Sequence, residues 1–177
     1  LTATLVTAHF IAYTYIEPFL LQISGFSEKL ATLALLVYGL AGIGGSILYA
    51  KSNEAGFCRN IFAPVLGIII SLFLLQYSPF YLYPLFLVAF WGACIMLFSL
   101  NGHERVIRFA SDATDVAMSL YSGIFNIGIG AGALAGGLFV TQMGLSVIGF
   151  YGALLAVPTL IFCYFIQKIG DARQNLR

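Results

Sequence analysis

The chain has 177 residues, 60% of them hydrophobic and only 8% charged, with a formal net charge of +1 and a mean hydropathy of +0.97. A soluble domain carries about 25% charged residues, so these few charges cannot cover a water-facing surface, and the absence of a basic patch excludes a nucleic-acid partner. The composition predicts an all-α protein whose helices cross a lipid bilayer several times.

A membrane helix needs about 20 mostly apolar residues. Six segments qualify, near 2–24, 29–50, 61–78, 82–101, 115–140 and 147–167. They make one transmembrane bundle over 1–170, followed by a cytoplasmic tail at 171–177. The breaks are "SGFSEK", "KSNEAGFCRN", "YSPFYLYP", "NGHERVIRFASDATD" and "TQMGLS". A chain that begins inside an apolar segment, with Leu1 and no positive leader, reads as a fragment or as one half of something longer.

The first segment carries His9, Thr14 and Glu17. An ionised carboxylate in the bilayer core costs at least ~2.5 kcal/mol. It must take up a proton or face water, a cation or a donor. His9, Tyr13 and Glu17 are spaced i, i+4, i+8 and form one drifting stripe. Tyr13 is placed to donate to the acid. Pro18 cannot donate to the Thr14 carbonyl, and its ring crowds that turn. Kinks of this kind border protein or a water-filled cavity. The expectation is a bent helix beside a cavity, with Glu17 on a proton or substrate path. The alternative is a wet, interfacial Glu17 with Pro18 ending the helix early.

The second segment is rich in glycine, with Gly39, Gly42, Gly44 and Gly45. The third, "VLGIIISLFLL", is featureless, and the fourth is mixed, with Trp91, Gly92 and Cys94. The fifth is the densest: "SDATDVAMSLYSGIFNIGIGAGALAGG". Asp112 and Asp115 suit the cap and first turn of a helix. Ser119, Ser122, Asn126, Gly130, Ala133 and Gly137 share one face, and Gly128, Gly132 and Gly136 share another at GxxxG spacing. Asn126 is placed to bridge helices or to contact a substrate. The sixth, "LLAVPTLIFCYF", is again featureless. The order polar or mixed, then small, then greasy therefore occurs twice, as in transporters built from internal repeats.

Lys51, Arg59, Arg105, Arg108, Lys168, Arg173 and Arg177 fall on one side of these spans, with Lys29 alone on the other. The side rich in Lys and Arg is cytoplasmic, which puts both chain ends in the cytoplasm. Cys58, Cys94 and Cys163 have neither metal spacing nor a CxxC, so no metal or cofactor is expected. There is no GxSxG, no HExxH and no acid pair at membrane depth, so an enzyme is not expected either.

The stretches "YTYIEPFL", "YGLAGIGGS", "WGACIM" and above all the fifth-segment motif are similar to the second half of bacterial sugar efflux transporters of the major facilitator superfamily. The subgroup is the drug:proton antiporters that includes the L-arabinose and isopropyl-thiogalactoside exporters. The resemblance covers nearly the whole chain. It implies a C-terminal half-bundle of two three-helix repeats in the bacterial inner membrane, partnered by an N-terminal six-helix half. It implies proton-driven efflux of a sugar or small amphiphile by alternating access. Tyr13, Glu17 and Pro18 would then line the central cavity. Ser122, Asn126 and the glycines, with Gly42, Gly45, Gly128, Gly132 and Gly136 as interface packing, would lie where the bundles meet. The third and sixth spans would face lipid. The loop "GSILYAKSNEAGFCRN" lacks the Asp-Arg pair that superfamily members often carry there. The competing readings are a non-transporting remnant or assembly module, and an exporter of drugs rather than sugars.

Overall fold

The computed structural model describes residues 1–52, 60–77 and 80–174. Cys58, Arg59 and Arg177 lie outside the described residues, as do the side chains of Lys168 and Arg173. The helices are α1 (Thr2–Tyr13), α2 (Ile16–Gln22), α3 (Glu28–Lys51), α4 (Phe62–Leu74), α5 (Tyr83–Phe109), α6 (Thr114–Met143) and α7 (Ile148–Gln174). Short 3₁₀ turns at Ser111–Ala113 and Leu145–Val147 precede α6 and α7. There is no strand among the described residues.

The first apolar segment is split. Tyr15, at φ −113° and ψ 12°, leaves the helical region between α1 and α2. Its N–H bonds the carbonyl of Ala12 at 3.1 Å, and regular pairing resumes with Phe19 N–H on Tyr15 O at 3.0 Å. The break lies just before Pro18, at the turn whose Thr14 carbonyl the ring would crowd. The short connection to α3 turns at Gly25, whose φ of +70° suits a residue without Cβ. Ser27 then caps α3 by accepting from Leu30 N–H.

Two expectations need correction. Residues 101–109 do not form a loop; α5 continues through them to Phe109, about 40 Å in all. Gly102 does not interrupt it, because the Tyr121 ring fills the space that a side chain there would take. Glu104 and Arg108 pair one turn apart at 3.7 Å, and the Tyr49 hydroxyl donates to Glu104, tying the ends of α3 and α5 together. Asp112 is not the cap of α6. It sits in the 3₁₀ turn, where its carboxylate accepts from the Ser111 hydroxyl at 3.4 Å, and no side chain caps the helix. Thr114 instead donates back to the Ala110 carbonyl at 3.1 Å. Asp115 does fall in the first turn of α6, where the helix dipole favours it.

The segments containing α3, α5, α6 and α7 are long and apolar enough to cross a bilayer. The chain is therefore a multi-pass membrane protein. Helix length does not establish six crossings: α1 and α2 are separate pieces, and α4 has only 13 residues.

The packing has an internal symmetry. α3 runs along α5, and α1 runs along α6. α1 also packs on α7, α4 packs on α5, and α4 and α7 pack on each other. Exchanging the first triplet (α1 with α2, α3, α4) for the second (α5, α6, α7) returns the main helix pairs. The α3–α5 pair maps onto α6–α1, α1–α7 onto α5–α4, and α4–α7 onto itself.

Glycines make the two equivalent seams. On α3, a Cβ at Gly45 would stand 2.8 Å from the Ala93 carbonyl oxygen, and one at Gly42 would stand 3.5 Å from that of Gly92. On α6, a Cβ at Gly128 would meet Val6 at 2.8 Å, at Gly132 the Thr7 carbonyl at 2.6 Å, and at Gly136 the Ile11 carbonyl at 2.7 Å. The expectation that these glycines lie where two bundles meet is also corrected: they are buried inside this bundle, against α5 and α1, where backbones approach closely enough to need them. The opposite faces of α3 and α6 are open. A Cβ at Gly39, Gly123 or Gly130 would meet nothing within 4 Å, and Leu36, Leu40, Leu120, Ile127 and Leu134 are exposed.

Candidate functional site

The α3–α5 seam fixes a cluster of rings. Gly92 lies against the backbone of Tyr38, the Tyr38 carbonyl carbon being 3.0 Å from where a Cβ would sit. This close approach brings Tyr38 on α3 beside Trp91, the only tryptophan of the chain, on α5. Their ring centroids are 5.7 Å apart. α1 adds His9 and Tyr13 from successive turns. His9 stacks on Tyr13 at 5.1 Å and meets Trp91 edge-on at 5.1 Å. Tyr13 lies 4.9 Å from Tyr38 and 6.1 Å from Trp91.

The polar atoms of this cluster are under-used. The Tyr38 hydroxyl and His9 Nε2 are 3.4 Å apart, a long hydrogen bond. Among the described residues His9 Nδ1 and Trp91 Nε1 have no hydrogen-bond partner, although the two residues are 3% and 1% exposed. Each such group costs about 1–3 kcal/mol, and native structures leave few of them without a ligand, water or functional reason. Tyr13 and Tyr38 are only partly buried. Aromatic faces backed by ring nitrogens suit a ligand with apolar C–H faces and polar hydroxyl edges.

Ser122 and Asn126 belong to a different place. With Tyr121 and Phe125 of α6 and Ser99 and His103 of α5, they line an open cavity of about 270 Å³. His103 Nδ1 lies 2.7 Å from the Ser99 carbonyl oxygen. A carbonyl only accepts, so Nδ1 carries the proton and Nε2 is the acceptor of the neutral ring. The Tyr121 ring meets His103 edge-on at 5.0 Å and, resting on Gly102, spaces the two helices apart.

Glu17 joins neither group. The break at Tyr15 interrupts the helix that would have kept it in register with His9 and Tyr13. Its side chain is exposed in the first turn of α2, and it makes no hydrogen bond or ion pair among the described residues. The expected stripe therefore ends at Tyr13, and the described residues of this chain leave the acid uncovered.

No protein-family model matches the chain. A curated relative, the "probable sugar efflux transporter" of Pasteurella multocida (strain Pm70), is 45% identical over 177 residues. The match covers 99% of this chain and 44% of that protein. The chain thus spans less than half the length of the relative it matches.

Tyr38, Trp91, Ser99 and His103 escaped the reading of single segments as site residues. Spacing along one helix shows which residues share a face, but not which face of another helix meets it. Trp91 and His103 carried the available signals: the sole tryptophan of the chain, and one of its two histidines. A helix taken for a loop hid the second.

Proposed function

We propose that this chain is one six-helix half of a proton-coupled exporter of sugars or similar small amphiphiles, working by alternating access in the bacterial inner membrane. The observation that carries this is the exchange symmetry of the packing. Each triplet has three members, so in a membrane the two copies run in opposite directions. Inverted repeats with a site where they meet are the architecture of alternating-access transporters. The His9–Tyr13–Tyr38–Trp91 cluster joins rings of α1 and α3 to Trp91 of α5, so it bridges the two triplets. The relative's name adds the substrate class.

In this reading Tyr13 and Tyr38 stack on the apolar face of a sugar. His9 and Trp91 offer hydrogen bonds to its hydroxyls. Glu17 takes and releases the proton at the bend before Pro18, facing the path once the other half covers it. The open faces of α3 and α6 meet that second six-helix half, with Ser122 and Asn126 at the edge of that contact, where they line the cavity between α5 and α6. Both chain ends lie in the cytoplasm, as the bias of Lys and Arg indicates.

The test is export by the intact transporter that contains this chain, in vesicles with an imposed proton gradient. Labelled sugar should move against its own gradient and stop when the proton gradient is collapsed. Movement of hydrophobic drugs but not sugars would instead support a multidrug exporter. No movement of either would support the assembly-module reading.

A further inference from the structure

The cavity between α5 and α6 has a chemistry of its own. It is separate from the ring cluster: His103 lies twelve residues beyond Trp91 on α5, about 18 Å along the helix. Two serine hydroxyls, an amide and an imidazole acceptor line it together with the rings of Tyr121 and Phe125, the Tyr121 hydroxyl itself being buried against Gly102. No charged side chain is among the lining residues. The lining therefore offers no fixed charge to pair with a phosphate, carboxylate or ammonium. At about 270 Å³ the cavity is just below the ~300 Å³ at which sites for drug-sized ligands begin.

We propose that this cavity is a second sugar site, which captures one neutral sugar ring before it reaches the ring cluster. His103 Nε2 accepts from a sugar hydroxyl. The Asn126 amide can both donate and accept, so it suits a pair of adjacent hydroxyls. Ser122 supplies a further hydroxyl, and Phe125 covers an apolar face of the ring. The Ser99 carbonyl holds His103 in the tautomer that makes Nε2 an acceptor. His103 stands on the same stretch of α5 as Arg105 and Arg108, the side that the Lys and Arg bias assigns to the cytoplasm and from which an exporter takes its cargo. The inference rests on the reading of the protein as a sugar exporter.

The test is sugar titration of proton-driven export by the intact transporter. His103→Ala should raise the KM about three- to tenfold, the loss expected for one or two hydrogen bonds, and leave the maximal rate within about twofold. His103→Gln, which restores an acceptor, should recover most of the KM. As a measurement independent of turnover, Ser122→Cys should react with a maleimide more slowly when sugar is present and at the normal rate when the corresponding sugar phosphate is present. An unchanged KM in His103→Ala and in Asn126→Ala, with export intact, would overturn the second site and leave the exporter reading standing. Equal protection by the sugar phosphate would overturn the assignment of a neutral ligand. Failure of the parent protein to export or bind any sugar would overturn both.

Discussion

The two histidines of this chain occupy opposite environments, and the difference follows from how closely the helices approach. His9 is walled in by Tyr13, Tyr38 and Trp91, at a place where Gly42, Gly45 and Gly92 let α3 and α5 touch backbone to backbone. Two ring nitrogens are buried there without partners among the described residues. His103 lies where Tyr121 keeps α5 and α6 apart, so a polar cavity remains and one ring nitrogen is tied to a carbonyl. Small residues thus make a dry, aromatic site in one place, and one large residue makes a wet, polar site in the other.

The strongest way to break this contrast is to fill a seam. Gly132→Leu on α6 would drive a side chain into the Thr7 carbonyl and the Phe10 backbone, neither of which can swing aside. Overpacking of this kind costs about 3 kcal/mol, and the yield of folded, monodisperse protein after detergent extraction should collapse. Gly130→Leu, two residues away on the open face, should leave that yield intact. If α6 meets a second half there, Gly130→Leu should nevertheless depress export by the intact transporter. Normal export would mean that this face is not an interface.

Glu17→Gln gives the next largest effect, complete loss of proton-coupled export with normal insertion. The acid lies outside both histidine environments, so the outcome locates the proton path. Sugar accumulation in vesicles as a function of the imposed pH gradient is the measurement. Retained coupling would move the proton-carrying role away from α2, with His9 the next candidate.

Much of this was legible in the sequence, for reasons that can be stated. Hydropathy and glycine content locate the helices, because the bilayer imposes length and polarity on each segment separately. The end of α5 was not legible. "NGHERVIRF" has the polarity of a loop, but a helix leaving a membrane can carry Glu104 and Arg108 as an ion pair one turn apart. The glycines were recognised as close-contact residues, and single-segment spacing did not tell which neighbour they contact. His9, Tyr13, Ser122 and Asn126 were singled out as polar groups in apolar runs. Their division into two sites depends on which helices adjoin, and that is information about pairs.

Trp91→Phe sharpens the account of the dry site. The six-membered ring and part of its packing survive, and the pyrrole portion is removed together with an Nε1–H that has no partner among the described residues. If a sugar hydroxyl accepts from it, the KM for export should rise about fivefold, the loss of one hydrogen bond. Folded stability should fall only by the cost of a smaller ring in a buried place, because the N–H has no partner among the described residues to lose. A fall in stability without a change in KM would make Trp91 a packing residue alone.

Tyr38→Phe should give the smallest effect, and it separates the two roles that a tyrosine can have there. The substitution keeps the face that stands 4.9 Å from Tyr13 and 5.7 Å from Trp91. It removes the hydroxyl that lies 3.4 Å from His9 Nε2. A bond that long is weak, so its removal should lower stability by about 1 kcal/mol or less, read as a small fall in the thermal midpoint of the purified protein. The KM should change less than about threefold, because stacking on the retained ring supplies the contact. A tenfold change would instead show that the hydroxyl orients His9 for the ligand. Tyr38 would then act by positioning the imidazole rather than by offering its face to the sugar.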